Sequence, residues 1–189
     1  MTGGLRRYML RRGADTTGVD FRSVIPVNLR PLGRIKQLGN QFGLVFLNLP
    51  VGIADPLERL LKLKKRMDRI KNSPEAVVAL GILKAVGATP AEIQRMVVNV
   101  FGAKTTAVMT NVPGPFNPIY LVGKRIDNLM FWVPQSGRVG LGVSILSYAG
   151  YVRLGVVTDA SLVEYPDQII EGFYEELEEM MDLVRALEQ

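Results

Sequence analysis

The chain has 189 residues, with 23 Lys and Arg against 18 Asp and Glu, and neither histidine nor cysteine. That length is one domain, able to bury about 70% of its unfolded surface without staples; the absence of cysteine suits a reducing cytoplasm, and no run approaches a membrane span, so a soluble protein is expected. Lacking histidine and cysteine, it has neither the commonest neutral-pH base nor a thiolate nucleophile, and no G-x-S-x-G, S-x-x-K or Walker-type loop replaces them.

Residues 2–12 (TGGLRRYMLRR) read as a helix with Leu5, Tyr8 and Met9 on one face. Gly3 and Gly4 sit where a helix should be starting, so the chain is expected to enter this helix after its first turns; Gly13 closes it. Residues 19–29 alternate Val19, Phe21, Ser23, Ile25 and Val27 against Asp20, Arg22 and Val24, the pattern of a strand, and Pro26 predicts an edge or a bulge. Arg30-Pro31-Leu32-Gly33 turns the chain. Residues 42–49 (FGLVFLNL) are nearly all apolar, as in a strand covered on both faces.

Three helices follow, over 56–71, 74–86 and 90–101. Each opens with a capping residue before proline, Asp55-Pro56, Ser73-Pro74 and Thr89-Pro90, with an acid in the first turn. In the first and third the Glu stands three residues after the cap, which predicts a capping box. Helix 56–71 sets Leu60, Leu63, Met67 and Ile70 opposite Lys62, Lys65, Arg66 and Arg69. Helix 74–86 is apolar almost all round and so predicts deep burial or the wall of an apolar cavity. Helix 90–101 is expected to bury Ile93, Met96, Val97, Val100 and Phe101.

Thr105, Thr106, Val108 and Thr110 are β-branched, so residues 104–110 read as a strand ending in the corner Asn111-Val112-Pro113-Gly114-Pro115. Two prolines fix the backbone, and Gly114 is read as the residue free to take a positive φ. Further strands are predicted near 119–122, 129–133, 139–148 and 151–157, the last two joined by the Ala149-Gly150 turn. Gly140 and Gly142 leave one strand face bare, for a ligand or for packing. Residues 166–188 form a terminal helix with the stripe Ile170, Phe173, Leu177, Met180, Val184 and Leu187, expected to pack on the sheet.

Charge is uneven. Residues 1–36 carry +6, 55–71 carry +4, 72–163 carry +3 and the last 26 residues −8. The basic segments are open to two readings, phosphate or anionic lipid contact and ordinary solvated faces.

Four segments, VIPVNLRP (24–31), LGNQFGLVFLNLP (38–50), TNVPGP (110–115) and SILSYAGYVRLGVVTD (144–159), together resemble the C-terminal half of the bacterial wax ester synthase/diacylglycerol acyltransferase family. The resemblance covers effectively the whole chain. It implies an α/β (α+β) fold with a mixed, largely antiparallel sheet covered by helices, one half of a chloramphenicol acetyltransferase-like two-half fold. It also implies acyl transfer from a fatty acyl-CoA to a long-chain alcohol or diacylglycerol, with acyl-CoA as substrate and no cofactor or metal. The family's His-His-x-x-x-Asp-Gly base motif belongs to the N-terminal half and is absent here, as is its Asn-Asp pair.

On that resemblance Asn111, Pro113, Gly114, Ser144 and Ser147 are the oxyanion or tunnel candidates, and Arg22, Arg30, Arg34 and Lys36 the candidates for CoA phosphates. The partners implied are an N-terminal acyltransferase half or further copies of the chain, acyl-CoA and a lipid acceptor. Peripheral contact with anionic membrane or lipid inclusions is expected, and no nucleic acid. The alternative is a non-catalytic module that binds acyl-CoA or lipid or docks to a partner.

Overall fold

The computed structural model describes residues 1–30, 41–103, 105–135 and 139–188. Helix α1 (Thr2–Arg11) leads into two antiparallel strands, β1 (Phe21–Asn28) and β2 (Phe42–Leu49). Helices α2 (Pro56–Lys71), α3 (Glu75–Gly87) and α4 (Ala91–Ala103) follow. Strand β3 (Ala107–Pro113) precedes a small hairpin of β4 (Tyr120–Leu121) and β5 (Lys124–Arg125). The long hairpin β6 (Leu141–Tyr148) and β7 (Tyr151–Thr158) and the helix α5 (Asp167–Leu187) complete the chain. The main sheet has the order β2-β1-β3-β6-β7, with parallel pairing in the centre and antiparallel pairs at both edges.

Local chemistry sets many of the boundaries. Asp55 caps α2 by accepting the Glu58 N–H at 2.6 Å. Thr89 does not act alike: its hydroxyl donates to the Val86 carbonyl at 2.6 Å, closing α3. Ala149 and Gly150 take φ of 48° and 85°, the turn shape that joins two twisted strands through two residues. Pro26 is tolerated because β1 pairs with β3 only at Ser23 and Val24, so beyond them β1 has a ladder partner on one side alone. Residues 129–133, expected to be a strand, have no ladder partner among the described residues and form no regular element.

One sheet face carries the core. Leu47, Leu49, Ala107, Met109, Leu141 and Val143 meet Leu5 of α1, Ile169 of α5 and the Leu63, Met67 and Ile70 stripe of α2. Gly3 and Gly4 lie inside α1, and their role is close helix approach. A Cβ on Gly4 would stand 2.8 Å from the Phe173 nitrogen, and one on Gly3 would overlap the Glu176 carboxylate. That carboxylate forms a buried ion pair with Arg59, which also donates to the Ala54 carbonyl at 3.0 Å.

The charge asymmetry resolves at the same place. Arg7 and Arg11 pair with Glu171, Glu175, Glu176 and Glu179 of α5, and Arg12 pairs with Glu164. Arg66, expected on an exposed face, is half-buried and bonds Asp20 at 2.8 Å and the Asn48 carbonyl at 2.7 Å. The buried side of α5 is Ile169, Gly172 and Glu176, whereas Leu177, Val184 and Leu187 of the expected stripe are exposed. No described helix is long and apolar enough to cross a membrane.

Breaking the buried pair from one side should be costly. Arg59→Met leaves Glu176 without its main partner and is expected to lose about 3 kcal/mol in urea unfolding, most of it recovered in Arg59→Met/Glu176→Leu. A silent single variant would contradict the burial.

Candidate functional site

The other sheet face is hollow. Val24 and Pro26 of β1, Leu44 and Phe46 of β2 and Val108 of β3 form the floor of a cavity of about 810 Å³. Its walls are Val78, Ala79, Ile82 and Leu83 of α3, Val97 and Val98 of α4, and Val133, Pro134 and Val139. Thus β2 is apolar on both faces for two reasons: Val45, Leu47 and Leu49 enter the core, while Phe42, Leu44 and Phe46 face the cavity. Helix α3 has no fully buried residue. Of the residues expected to be buried by α4, Val97 is half-buried in the cavity wall, and Ile93, Met96 and Val100 are exposed. The Phe101 side chain lies outside the described residues.

The proline-glycine corner lies elsewhere. Strand β3 continues through Asn111 to Pro113, so the chain leaves the sheet three residues later than its sequence suggests. Gly114 does not take a positive φ. Its glycine identity comes from packing: the Gly114 N–H donates to the Ser147 carbonyl at 2.9 Å, and an added Cβ would overlap that same oxygen. The Ala149 N–H donates to the Pro115 carbonyl at 2.9 Å, so the corner is laced to the β6–β7 turn. The Tyr148 hydroxyl, buried, donates to the Ile126 carbonyl at 2.6 Å and accepts the Ile119 N–H at 3.0 Å, holding the β4–β5 arm.

The candidate residues separate into groups. Register pairs Asn111 with Ile145 and Pro113 with Ser147, so Asn111 and Ser147 share a face at the carboxyl ends of two parallel strands. Ser144 points to the opposite face and is buried, its hydroxyl donating to the Phe131 carbonyl at 2.7 Å. That proton is committed, so Ser144 has no donor left for an oxyanion. Asn111 is exposed, and its amide has no hydrogen bond among the described residues.

The bare glycine face is filled by the chain itself. Gln135 Nε2 lies 2.9 Å from where a Cβ on Gly142 would be, and the Trp132 ring stands 3.1 Å from one on Gly155. The strand therefore admits the chain's own 131–135 segment, not a ligand.

The two described phosphate candidates, Arg22 and Arg30, do not share one site. Arg22 lies over the Phe46 ring, 5.3 Å from its centroid, beside the cavity. Arg30 stands beyond the far end of β1, about 26 Å of extended strand away. Arg34 and Lys36 lie outside the described residues.

With this geometry in view, the relatives can be placed. A model of the WS/DGAT C-terminal domain matches residues 38–181. The chain belongs to that family. A probable diacylglycerol O-acyltransferase of Mycobacterium tuberculosis is 26% identical over 178 residues, covering 91% of this chain and 38% of the relative. Wax ester synthase/diacylglycerol acyltransferase 11 of Arabidopsis thaliana is 28% identical over 204 residues, covering 92% of this chain and 40% of that protein. The solved wax ester synthase/diacylglycerol acyltransferase of Marinobacter aquaeolei VT8 superposes with a TM-score of 0.61 at 19% identity, over 94% of this chain and 40% of that one. The WS/DGAT domain thus spans about two-fifths of the relatives it matches, and the structural likeness establishes the fold.

The corner generates a test. Gly114→Ala should destabilise the WS/DGAT domain by about 2 kcal/mol in urea unfolding, because the added methyl meets a backbone oxygen. Unchanged stability would mean that the corner can open without loss.

Proposed function

We propose that this chain is the C-terminal half of an O-acyltransferase that moves a fatty acyl group from acyl-CoA to a long-chain alcohol or diacylglycerol. Its cavity holds the aliphatic chain of one of the two substrates. The cavity is the observation that carries this reading. At about 810 Å³ it falls within the range of sites that enclose small ligands. Its walls are overwhelmingly aliphatic and aromatic, so water inside gains few hydrogen bonds, while each buried CH₂ contributes about 0.8 kcal/mol.

Acyl transfer to a hydroxyl needs a base, and the 189 residues contain no histidine or cysteine to serve. On this reading the base comes from the part of such an enzyme that lies outside the span matched here. Asn111, exposed at the end of β3, and Ser147, on the same face, are the remaining side-chain candidates for meeting a developing oxyanion. Arg22, beside the cavity, is the candidate for a CoA phosphate. The partners are then the N-terminal half, acyl-CoA and a lipid acceptor met from the cytoplasm at a membrane or inclusion surface, towards which α2 offers exposed Lys62, Lys65 and Arg69.

Two measurements test this. The chain alone should give no acyl transfer from palmitoyl-CoA to hexadecanol; turnover surviving controls for host enzymes would contradict the placement of the base. It should also bind the neutral apolar dye Nile red, and Ala79→Phe, which fills the cavity, should weaken that binding about tenfold. Binding indifferent to Ala79→Phe would place the apolar site elsewhere.

A further inference from the structure

One wall of this apolar cavity is a carboxylate. Glu75 opens α3 and, among the described lining residues, is the one with a charge. Its Oε1 accepts the Phe46 N–H at 3.0 Å, satisfying a donor on the edge strand β2. Its Oε2 has no hydrogen bond or ion pair among the described residues. The other polar side chains of the lining are occupied. The Ser73 hydroxyl donates to the Ile70 carbonyl at 2.9 Å and accepts the Glu75 N–H at 3.3 Å, and Thr105 is likewise engaged. Among the described lining residues, Glu75 Oε2 is thus the charged-group atom left without a partner, and an ionised carboxylate can only accept.

We infer that Glu75 makes the cavity selective for a neutral, hydroxyl-bearing lipid over an anionic one, by accepting a hydrogen bond from the ligand's hydroxyl. This rests on the reading of the cavity as an aliphatic-chain site and names which substrate it takes, the acceptor. A hydroxyl donates to Oε2, and a hydrogen bond to a charged group is among the stronger ones. A fatty-acid carboxylate offers no proton and sets a second negative charge beside the first, which disfavours its binding there. A thioester has no donor at all. The group that works the other way is Arg22, whose guanidinium covers the ring of Phe46, the residue that bonds Glu75. Glu75 is a specificity residue on this reading, and no proton transfer is assigned to it.

The test displaces Nile red from the 189-residue chain at pH 8 with 1-dodecanol, 1,2-dioctanoylglycerol and dodecanoate, each below its aggregation concentration. At least one neutral ligand should displace the dye at about tenfold lower concentration than dodecanoate. Which neutral ligand does so tells a fatty alcohol from a glyceride. Glu75→Gln keeps an acceptor for the Phe46 N–H and should bring dodecanoate to within about twofold of the better neutral ligand. A preference for dodecanoate in the wild-type chain, which needs no variant to fold, would overturn the inference and assign this end of the cavity to Arg22. So would a preference that persists in Glu75→Gln. Displacement by all three ligands alike would retain the chain site and reject the selectivity, whereas displacement by none would remove both.

Discussion

The Arg59–Glu176 pair ties the start of α2 to the middle of α5, with Gly3 of α1 pressed against the carboxylate. Both charges are out of water; Glu176 keeps the half-exposed Arg7 if Arg59 is lost, and Arg59 would be left buried with backbone carbonyls alone if Glu176 is lost. Three helices are thereby fixed as one layer over the core face of the sheet. The acidic half of α5 then meets the arginines of α1, which removes most of the charge imbalance that the sequence displays end to end. From this layer α2 leads to the free edge of β2, where Ser73 and Pro74 carry the chain across to the other face. Among the described residues, α3, α4 and Val133, Pro134 and Val139 line that face.

Those elements cannot fill it. Helix α3 intersperses its larger aliphatics with five small residues, Ala76, Ala79, Gly81, Ala85 and Gly87, whose side chains reach little distance from the helix axis. Helix α4 contributes Val97 and Val98 to the wall but leaves Ile93, Met96 and Val100 in solvent. A domain that ended its apolar packing at this face would be expected to close it at the density of a protein interior. Here Val24, Phe46 and Val108 instead look into open volume. The physical contrast between the two faces of one sheet is the basis for assigning ligand binding to one and stability to the other.

Much of this was legible in the sequence. The apolar character of 42–49 pointed to a strand covered on both faces and the all-round apolarity of 74–86 to deep burial or a cavity wall, and the two meet at the cavity. The Asp55 cap and the Ala149-Gly150 turn were also readable, because their causes are local. What failed was what depends on distant partners. Gly114 was expected to need a positive φ, but the Ser147 carbonyl, 33 residues away, is what excludes a side chain there. The alternating Gly140 and Gly142 announced a close approach without saying that Leu162 and Gln135 of the same chain would make it. Residues 129–133 had strand character but lacked a ladder partner among the described residues. Arg59 looked like any cation on a basic helix, and nothing in spacing foretells an acid 117 residues on. Glu75 was legible as a first-turn acid, which hid its place in the cavity wall.

The central claim is that an aliphatic chain lies between α3 and the β2-β1-β3 face, not in the core between the sheet and α1, α2 and α5. Methyl-labelled NMR of the chain with 1-dodecanol tests this directly. The account predicts intermolecular NOEs from the dodecanol methylenes to the methyls of Val24, Val78, Ile82, Val97 and Val108, with Val143 and Ile169 unaffected. NOEs to Val143 and Ile169, or none to any of the cavity methyls at saturating dodecanol, would contradict it.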